Sequence, residues 1–256
     1  MSDIVNYSRE DAVATITLNR PDSLNAFTTE LRKDLLAELQ KAEADEAVRV
    51  IILTGEGRSF CAGADLKEDP DRAVTKILLN EYRPIQEKIA SLPKPVIAVV
   101  RGSAAGIGLS VALQCDLLLM ADDAFMLSPF TTISLVPDGG LNWLLVRQIG
   151  YRRAFQLSVE SERIPADRCV ELGLANKAVP AEELHEVASS WAQALAKRAP
   201  LSVAGTKRLM RFADQNDWAS SFETEAQLQG EMFGSEDNKE GIDAFFEKRE
   251  PEFKGK

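Results

Sequence analysis

Residues 96–121, VIAVVRGSAAGIGLSVALQCDLLLMA, constrain the fold most, because a buried-strand pattern passes through a glycine-rich turn into a helical pattern and then a second strand. Residues 96–100 are β-branched and apolar throughout, whereas residues 109–113 mix small and aliphatic side chains as a packed helix does. Gly102, Gly106 and Gly108 punctuate the join. Glycines there let main-chain N–H groups approach a ligand closely, and the first N–H groups of a helix lack internal partners and sit at the positive end of its dipole. Such a turn can hold a negative oxygen. The dinucleotide pattern G-x-G-x-x-G fails, since the third glycine position holds Val111, and a phosphate loop fails for want of a lysine. A purely structural reading, in which the glycines only permit tight packing, stays open.

A chain of 256 residues buries about three quarters of its unfolded surface, so a sizeable core is available. The formal charge of -10 and a pI near 4.8 argue against a nucleic-acid or anionic-membrane surface, leaving small molecules or further copies of the chain as partners. Cys61, Cys115 and Cys169 are too few and too scattered for a zinc cluster or a disulfide framework and read as reduced thiols. The first residues show no signal pattern and no apolar run reaches a membrane span, so a cytoplasmic protein is expected. His185, the single histidine, lies in a polar helical stretch and reads as solvated. With no G-x-S-x-G elbow either, acid–base work falls to carboxylates, Tyr, Lys or Cys.

Along the chain, residues 13–18 alternate as a strand, residues 19–25 turn around Pro21, and residues 28–46 form an amphipathic helix with Leu31, Leu35, Leu36 and Leu39 on one face. A short strand at 50–53 leads to FCAGADL (60–66) and a charged irregular run ending near Arg72. A helix over 73–91 precedes Pro93 and Pro95; strands follow at 117–120 and 124–127, and a helix at 141–148. Beyond Ile164 the patterns are helical apart from a strand at 175–179. From about Ala199 onward, Leu201, Leu209, Met210, Phe212, Trp218, Phe222, Met232 and Phe233 require a covering surface. No linker or low-complexity stretch divides the chain.

With FCAGADL (60–66), AAGIG (104–108) and PDGG (137–140) in order, the sequence resembles the crotonase, or enoyl-CoA hydratase/isomerase, superfamily. The likeness runs from TLNRPDSLNAF (17–27) to AFFEKREPEFKGK (244–256). It implies an α/β fold, a spiral of β-β-α repeats over 1–198 with a helical trimerisation region over 199–256, assembled as a homotrimer or homohexamer. It implies an acyl-CoA thioester as substrate, with coenzyme A entering only as part of it and no metal or other cofactor.

By the same resemblance, the backbone N–H groups of Ala64 and Ile107 hold the thioester oxygen, with Ala62, Gly63 and Gly106 keeping the approach open. Ile107 stands where glycine is common, so its side chain must turn away from the ligand. The two positions at which the resembling hydratases carry glutamates hold Ser110, expected to hydrogen-bond at the substrate, and Phe130, expected to shape its pocket, whereas Asp138 occupies the acid position of enoyl-CoA isomerases and of phenylacetate-pathway ring isomerases. Asp138 has a second reading, as the cap of the helix beginning near Leu141. Coenzyme A is expected along Leu24, Ala26 and the loop from Ala62 through Asp65 and Leu66, with Lys67 near its phosphates or simply solvated. Arg20 is expected at the surface, Asp65 as an anchor for its loop, Cys61 as a packed side chain, and Trp143 either as an acyl-pocket wall or as core. The implied activity is isomerisation, by double-bond shift or ring-epoxide rearrangement. Hydration or another reaction of the superfamily, and a non-catalytic acyl-CoA-binding module, are the alternatives.

Overall fold

The computed structural model describes residues 4–68 and 73–256. Strand β1 (Val5–Glu10) runs antiparallel to β2 (Val13–Leu18) at the edge of the main sheet. Sequence periodicity does not announce β1, because Val5 alone in VNYSRE is buried.

From β2 onward the chain winds as a spiral, each turn giving one strand to the main sheet and one extended segment to a second layer. The first turn contributes β2 to the main sheet and Phe27, bridged to Ala64, to the second layer, and returns through helix α1 (Thr29–Ala44). Leu31, Leu35 and Leu39 of α1 are fully buried, each burial worth about 1.5–3 kcal/mol. The Thr28 hydroxyl accepts from the Leu31 N–H at 3.3 Å and caps the helix.

The second turn contributes β3 (Val50–Gly55) to the main sheet and the loop carrying Cys61 and Ala64 to the second layer, then returns through α2 (Val74–Ile77), a π turn (Leu78–Tyr82) and α3 (Arg83–Ser91). The pattern over 73–91 predicts one regular helix; the π turn interrupts it, with the Arg83 N–H reaching back five residues to the Leu78 carbonyl. Pro84 supplies a cause: its nitrogen carries no hydrogen, its ring crowds the carbonyl four residues earlier, and a widened turn relieves that clash. The last four residues of the charged irregular run, 69–72, lie outside the described residues.

The third turn contributes β4 (Val96–Val100) to the main sheet and β5 (Ser103–Ala105) to the second layer, and returns through α4 (Ile107–Gln114). The fourth contributes β6 (Leu117–Ala121) to the main sheet and β7 (Phe125–Leu127) to the second layer, then enters a 3-10 turn (Phe130–Ile133), α5 (Leu141–Ile149) and α6 (Tyr151–Glu160). Short β8 (Ile164–Pro165), α7 (Ala166–Leu172), β9 (Lys177–Val179) and α8 (Leu184–Ala196) complete the core. The main sheet runs β1-β2-β3-β4-β6-β9, parallel throughout beyond β1, and the second layer runs β5-β7-β8. The expected spiral of strand pairs and helices is therefore present. Buried on both faces, β4 needs its unbroken apolar run.

Helices α9 (Pro200–Ala213), α10 (Trp218–Met232) and α11 (Glu236–Glu247) follow the spiral. Lys207 and Arg211 of α9 reach Asp116 at 2.7 and 3.1 Å, docking the helix on the β6 end of the core. The buried Asp237 carboxylate accepts from the Lys254 and Gly255 N–H groups at 2.6 and 2.8 Å and pins the last residues back across α11. No described helix is long and apolar enough to cross a membrane.

Candidate active site

The second layer of the spiral brings the three sequence motifs to one place. Loop 61–65 is stitched into that layer by main-chain bonds: Cys61 N–H to Ser103 O at 3.0 Å, Ala105 N–H to Cys61 O at 2.9 Å, Phe27 N–H to Gly63 O at 2.8 Å and Asp65 N–H to Phe27 O at 3.0 Å. Beside it, β5 ends at Ala105 and turns through Gly106, whose φ of 55° and ψ of -127° only glycine adopts readily, before α4 begins at Ile107. Helix and loop touch: a Cβ on Gly108 would lie 2.6 Å from Cys61 Cβ and 2.8 Å from its carbonyl oxygen. Close packing and anion binding, the two readings of this glycine cluster, are compatible, since close approach is what sets the α4 N-terminus beside loop 61–65.

Among the described residues, the N–H groups of Ala64 and of Ile107 and Gly108, the first two positions of α4, donate to no backbone or side-chain acceptor, while those of Gly63, Asp65, Gly106 and Leu109 do. Two such amides, one on an exposed loop residue and one at the first position of a helix, suit an oxygen that gains negative charge. The Ile107 side chain is 2 % exposed and its Cδ1 packs against Gly139, so it is turned into the core as its position demands.

Phe130 is buried, with its ring edge 3.8 Å from where a Cβ on Gly106 would stand, and roofs the turn. Ser110 is fully buried, and its hydroxyl donates to the Asp138 carbonyl oxygen at 3.0 Å. That carbonyl also accepts from the Leu141 N–H at 3.0 Å. The Asp138 carboxylate does not cap α5: the cap position is Gly140, with no side-chain bond to the helix. Instead its Oδ1 is buried without a hydrogen-bond partner, and burial pushes the carboxyl up to about 6. The capping alternative for Asp138 is thereby removed.

The remaining candidates surround this centre. Leu24 and Ala26 frame the loop, the Leu24 carbonyl accepting from the Ala62 N–H at 2.9 Å and the Ala26 carbonyl from Arg20. Arg20 is not the solvated residue expected: its guanidinium also donates to Asp65 at 3.0 Å and staples the first turn of the spiral to the second. Asp65 anchors its loop as expected, and the Lys67 N–H, with Arg20, holds its carboxyl below the ordinary range. Leu66 and Lys67 are exposed at the rim. The Cys61 thiol is fully buried, which pushes it up to about 12 and fits a packed side chain. Trp143 belongs neither to the core nor to this cluster: it is 43 % exposed, carries Arg147 over its ring at 5.4 Å, and lines an open cavity of 850 Å³ with Leu113 and Met210 between α5 and α9. His185 is exposed, as its polar context predicts.

Sequence reasoning missed three residues behind the site. Arg32 sits 2 % exposed among the leucines of α1 and reaches Glu68 at 2.7 Å, Glu81 at 2.8 Å and the Tyr82 hydroxyl at 3.1 Å, joining the loop to the π turn. Gln86 donates from Nε2 to the Gly139 carbonyl at 3.0 Å. A charged residue inside an apolar stripe was the available signal for Arg32; nothing local marks Tyr82 or Gln86. No group of three or more His, Cys, Asp or Glu residues converges as metal ligands among the described residues.

Known proteins match this chain along nearly its whole length. The family model described as enoyl-CoA hydratase/isomerase matches residues 8–256. A probable enoyl-CoA hydratase of Rhodobacter capsulatus is 37% identical over 98% of both chains. A 1,2-epoxyphenylacetyl-CoA isomerase of Escherichia coli is 36% identical over 96% of this chain and 97% of its own. A 2,3-dehydroadipyl-CoA hydratase of the same organism is 34% identical over 100% of both. Among solved structures, an enoyl-CoA hydratase from Bacillus anthracis superposes with a TM-score of 0.95 at 33% identity, covering 99% of this chain and 100% of that one.

Proposed function

The chain belongs to the enoyl-CoA hydratase/isomerase family, and from that premise we propose that it is an acyl-CoA isomerase using Asp138 as its single acid–base group. The observation that carries this reading is the buried, unpartnered Oδ1 of Asp138 on a turn packed against Ile107, while the two hydratase positions hold a hydroxyl and a phenyl ring.

Coenzyme A lies along Leu24, Ala26 and the 62–66 loop, with Lys67 at the rim, and the acyl carbonyl enters between the Ala64 and Ile107 amides. Asp138, raised to about 6 yet mostly ionised at pH 7, takes a proton from the carbon beside the thioester or from its vinylogous position. The electron pair of that C–H bond moves through the conjugated carbons onto the thioester oxygen, where the two N–H groups receive it; one such donor is worth about 3 kcal/mol. Asp138 then returns the proton to the other end of the allylic system. The thioester is the electron sink, so the reaction needs no further cofactor. With a ring-epoxide acyl-CoA the same enolate forms; its electron pair becomes a C=C bond between the α-carbon and the ring as a strained bond of the epoxide breaks, and Asp138 returns the proton to the atom that receives that bond's electrons.

Hydration is the second reading, favoured by the names of the Rhodobacter capsulatus and dehydroadipyl-CoA relatives. Product analysis with a 3-enoyl-CoA, a ring-epoxide acyl-CoA and a 2-enoyl-CoA in ¹⁸O-water separates them. Isomerisation of either of the first two without solvent oxygen at the β-carbon supports the proposal; β-carbon labelling alone, or no turnover of any substrate, overturns it.

The assembly proposed is a trimer or hexamer built through residues 199–256, supported by exposed Trp218, Phe222, Phe233, Phe245 and Phe246 on α10, α11 and the joint between them. Three free, buried thiols fit a reducing, cytoplasmic setting. Light scattering that shows only a 28.1 kDa species at micromolar concentration would refute the assembly.

A further inference from the structure

The hydroxyl that stands in the first hydratase position does not face a substrate; it holds the backbone of the residue read as the acid. Ser110 Oγ donates its single hydrogen to the Asp138 carbonyl at 3.0 Å. One residue on, the Gly139 carbonyl accepts from Gln86 Nε2 at 3.0 Å. The Gln86 amide is oriented by that contact, since the reversed amide would set its oxygen against the Gly139 oxygen. Gly139 itself, at φ 61°, sits so close to α4 that a Cβ there would lie 2.0 Å from Ile107 Cδ1 and 3.2 Å from Ser110 Oγ. Ile107 and Ser110 are three apart on one helix and share a face. A single helical turn therefore carries both the amide aimed at the thioester oxygen and the clamp on the turn that bears the carboxylate.

We propose that Ser110, on the first turn of α4, and Gln86, on α3, are positioning residues that hold the Asp138–Gly139 backbone from two helices and so fix the spacing between the proton-transfer group and the oxyanion amides. This rests on the reading of Asp138 as the acid–base group. Proton transfer between two carbons of one chain demands that spacing, because a carboxylate displaced by about 1 Å from its attack position can cost on the order of 100-fold in rate. The position that holds a glutamate in the resembling hydratases is thus spent on a tether, and a water activated from that side has no base.

The test uses Ser110→Ala and Gln86→Met in the full chain, with Asp138→Asn in parallel. Ser110→Ala leaves the Asp138 carbonyl bonded to the Leu141 N–H, so folding is retained; thermal unfolding and the stoichiometry of acyl-CoA binding verify this. The expected result is a fall in kcat of about tenfold for each single variant, with KM and binding stoichiometry close to the parent's. A merely structural role would lower the bound fraction and leave the rate per bound site alone. The proposal is overturned if both variants keep the parent kcat, or if their loss lies in KM or in stoichiometry. If Asp138→Asn instead retains the parent kcat, the acid assignment itself fails, which is a separate and recognisable outcome.

Discussion

Loop 61–65 and segment 128–140 meet at the first turn of α4, yet they are held by different kinds of bond. The loop is fixed by main-chain pairing to Phe27 and β5, as if it were one more strand of the second layer. Segment 128–140 makes only local main-chain turns, such as Leu135 N–H to Phe130 O at 2.9 Å, and exposes Ile133, Leu135 and Val136. Side chains fasten it: Ser110 and Gln86 on its inner side, and Asn142 at 2.5 Å from the Pro137 carbonyl. Main-chain donors survive almost any substitution at their own position, whereas a carboxylate and its side-chain tethers are each removable by one. The arrangement that receives charge is thus conserved by geometry, and the one that moves the proton is open to change residue by residue.

The largest effect expected along this divide is on the acid side. Asp138→Asn should lower kcat several hundredfold or more while leaving acyl-CoA affinity intact, the range of a lost general base. The same substitution should raise the unfolding temperature at pH 7. The sign follows from the carboxyl's shift: its folded value of about 6 lies above its unfolded value, so ionisation destabilises the fold progressively as pH rises through this window. The gain should be full above pH 6 and vanish below the unfolded value, near about pH 4. An equal or lower unfolding temperature for Asp138→Asn at pH 7 would show that the carboxylate is satisfied after all.

Next in size is the acid limb of the rate profile. If ionised Asp138 is the base, kcat/KM should fall by about tenfold for each pH unit below the carboxyl's value and flatten above it. A profile flat between pH 5 and 7 would place the chemistry on another group. On the loop side the smaller effect is one of stability: Gly108→Ala drives a methyl into Cys61, and a cost of about 1–3 kcal/mol is expected, seen as a drop of several degrees in unfolding temperature. An unchanged temperature would mean that the loop is less rigidly seated than its main-chain bonds indicate.

The same divide explains what could be read from the sequence. FCAGADL and AAGIG are legible because main-chain donors at a close approach demand small residues at fixed places, and the leucine stripe of α1 and the apolar run of β4 follow simple periods. Asp138 was legible as a position but not as an environment: whether it capped α5 or stood unpartnered depended on Gly140 taking the cap. Arg20 looked like a surface residue because one partner, the Ala26 carbonyl, is a main-chain group of its own turn that leaves no mark in the sequence, and the other, Asp65, meets it only when two turns of the spiral stack. Gln86 was invisible because its contact with Gly139 spans 53 positions. The π turn before it also breaks the 3.6-residue count by which a helix face is assigned.

That π turn makes the tether a matter of helix phase. It amounts to one extra residue carried inside a helix, and each residue of a regular helix advances the side chains by about 100°. Loss of one residue within Leu78–Tyr82 would leave the sequence of α3 untouched and yet swing Gln86 away from Gly139. In homologous chains, a single-residue gap at this turn should therefore travel with loss of the amide at the Gln86 position, an inherited pairing between an insertion and a side chain that no contact between the two would suggest. Chains in which the gap and the amide occur independently would show that α3 finds its rotation by other means.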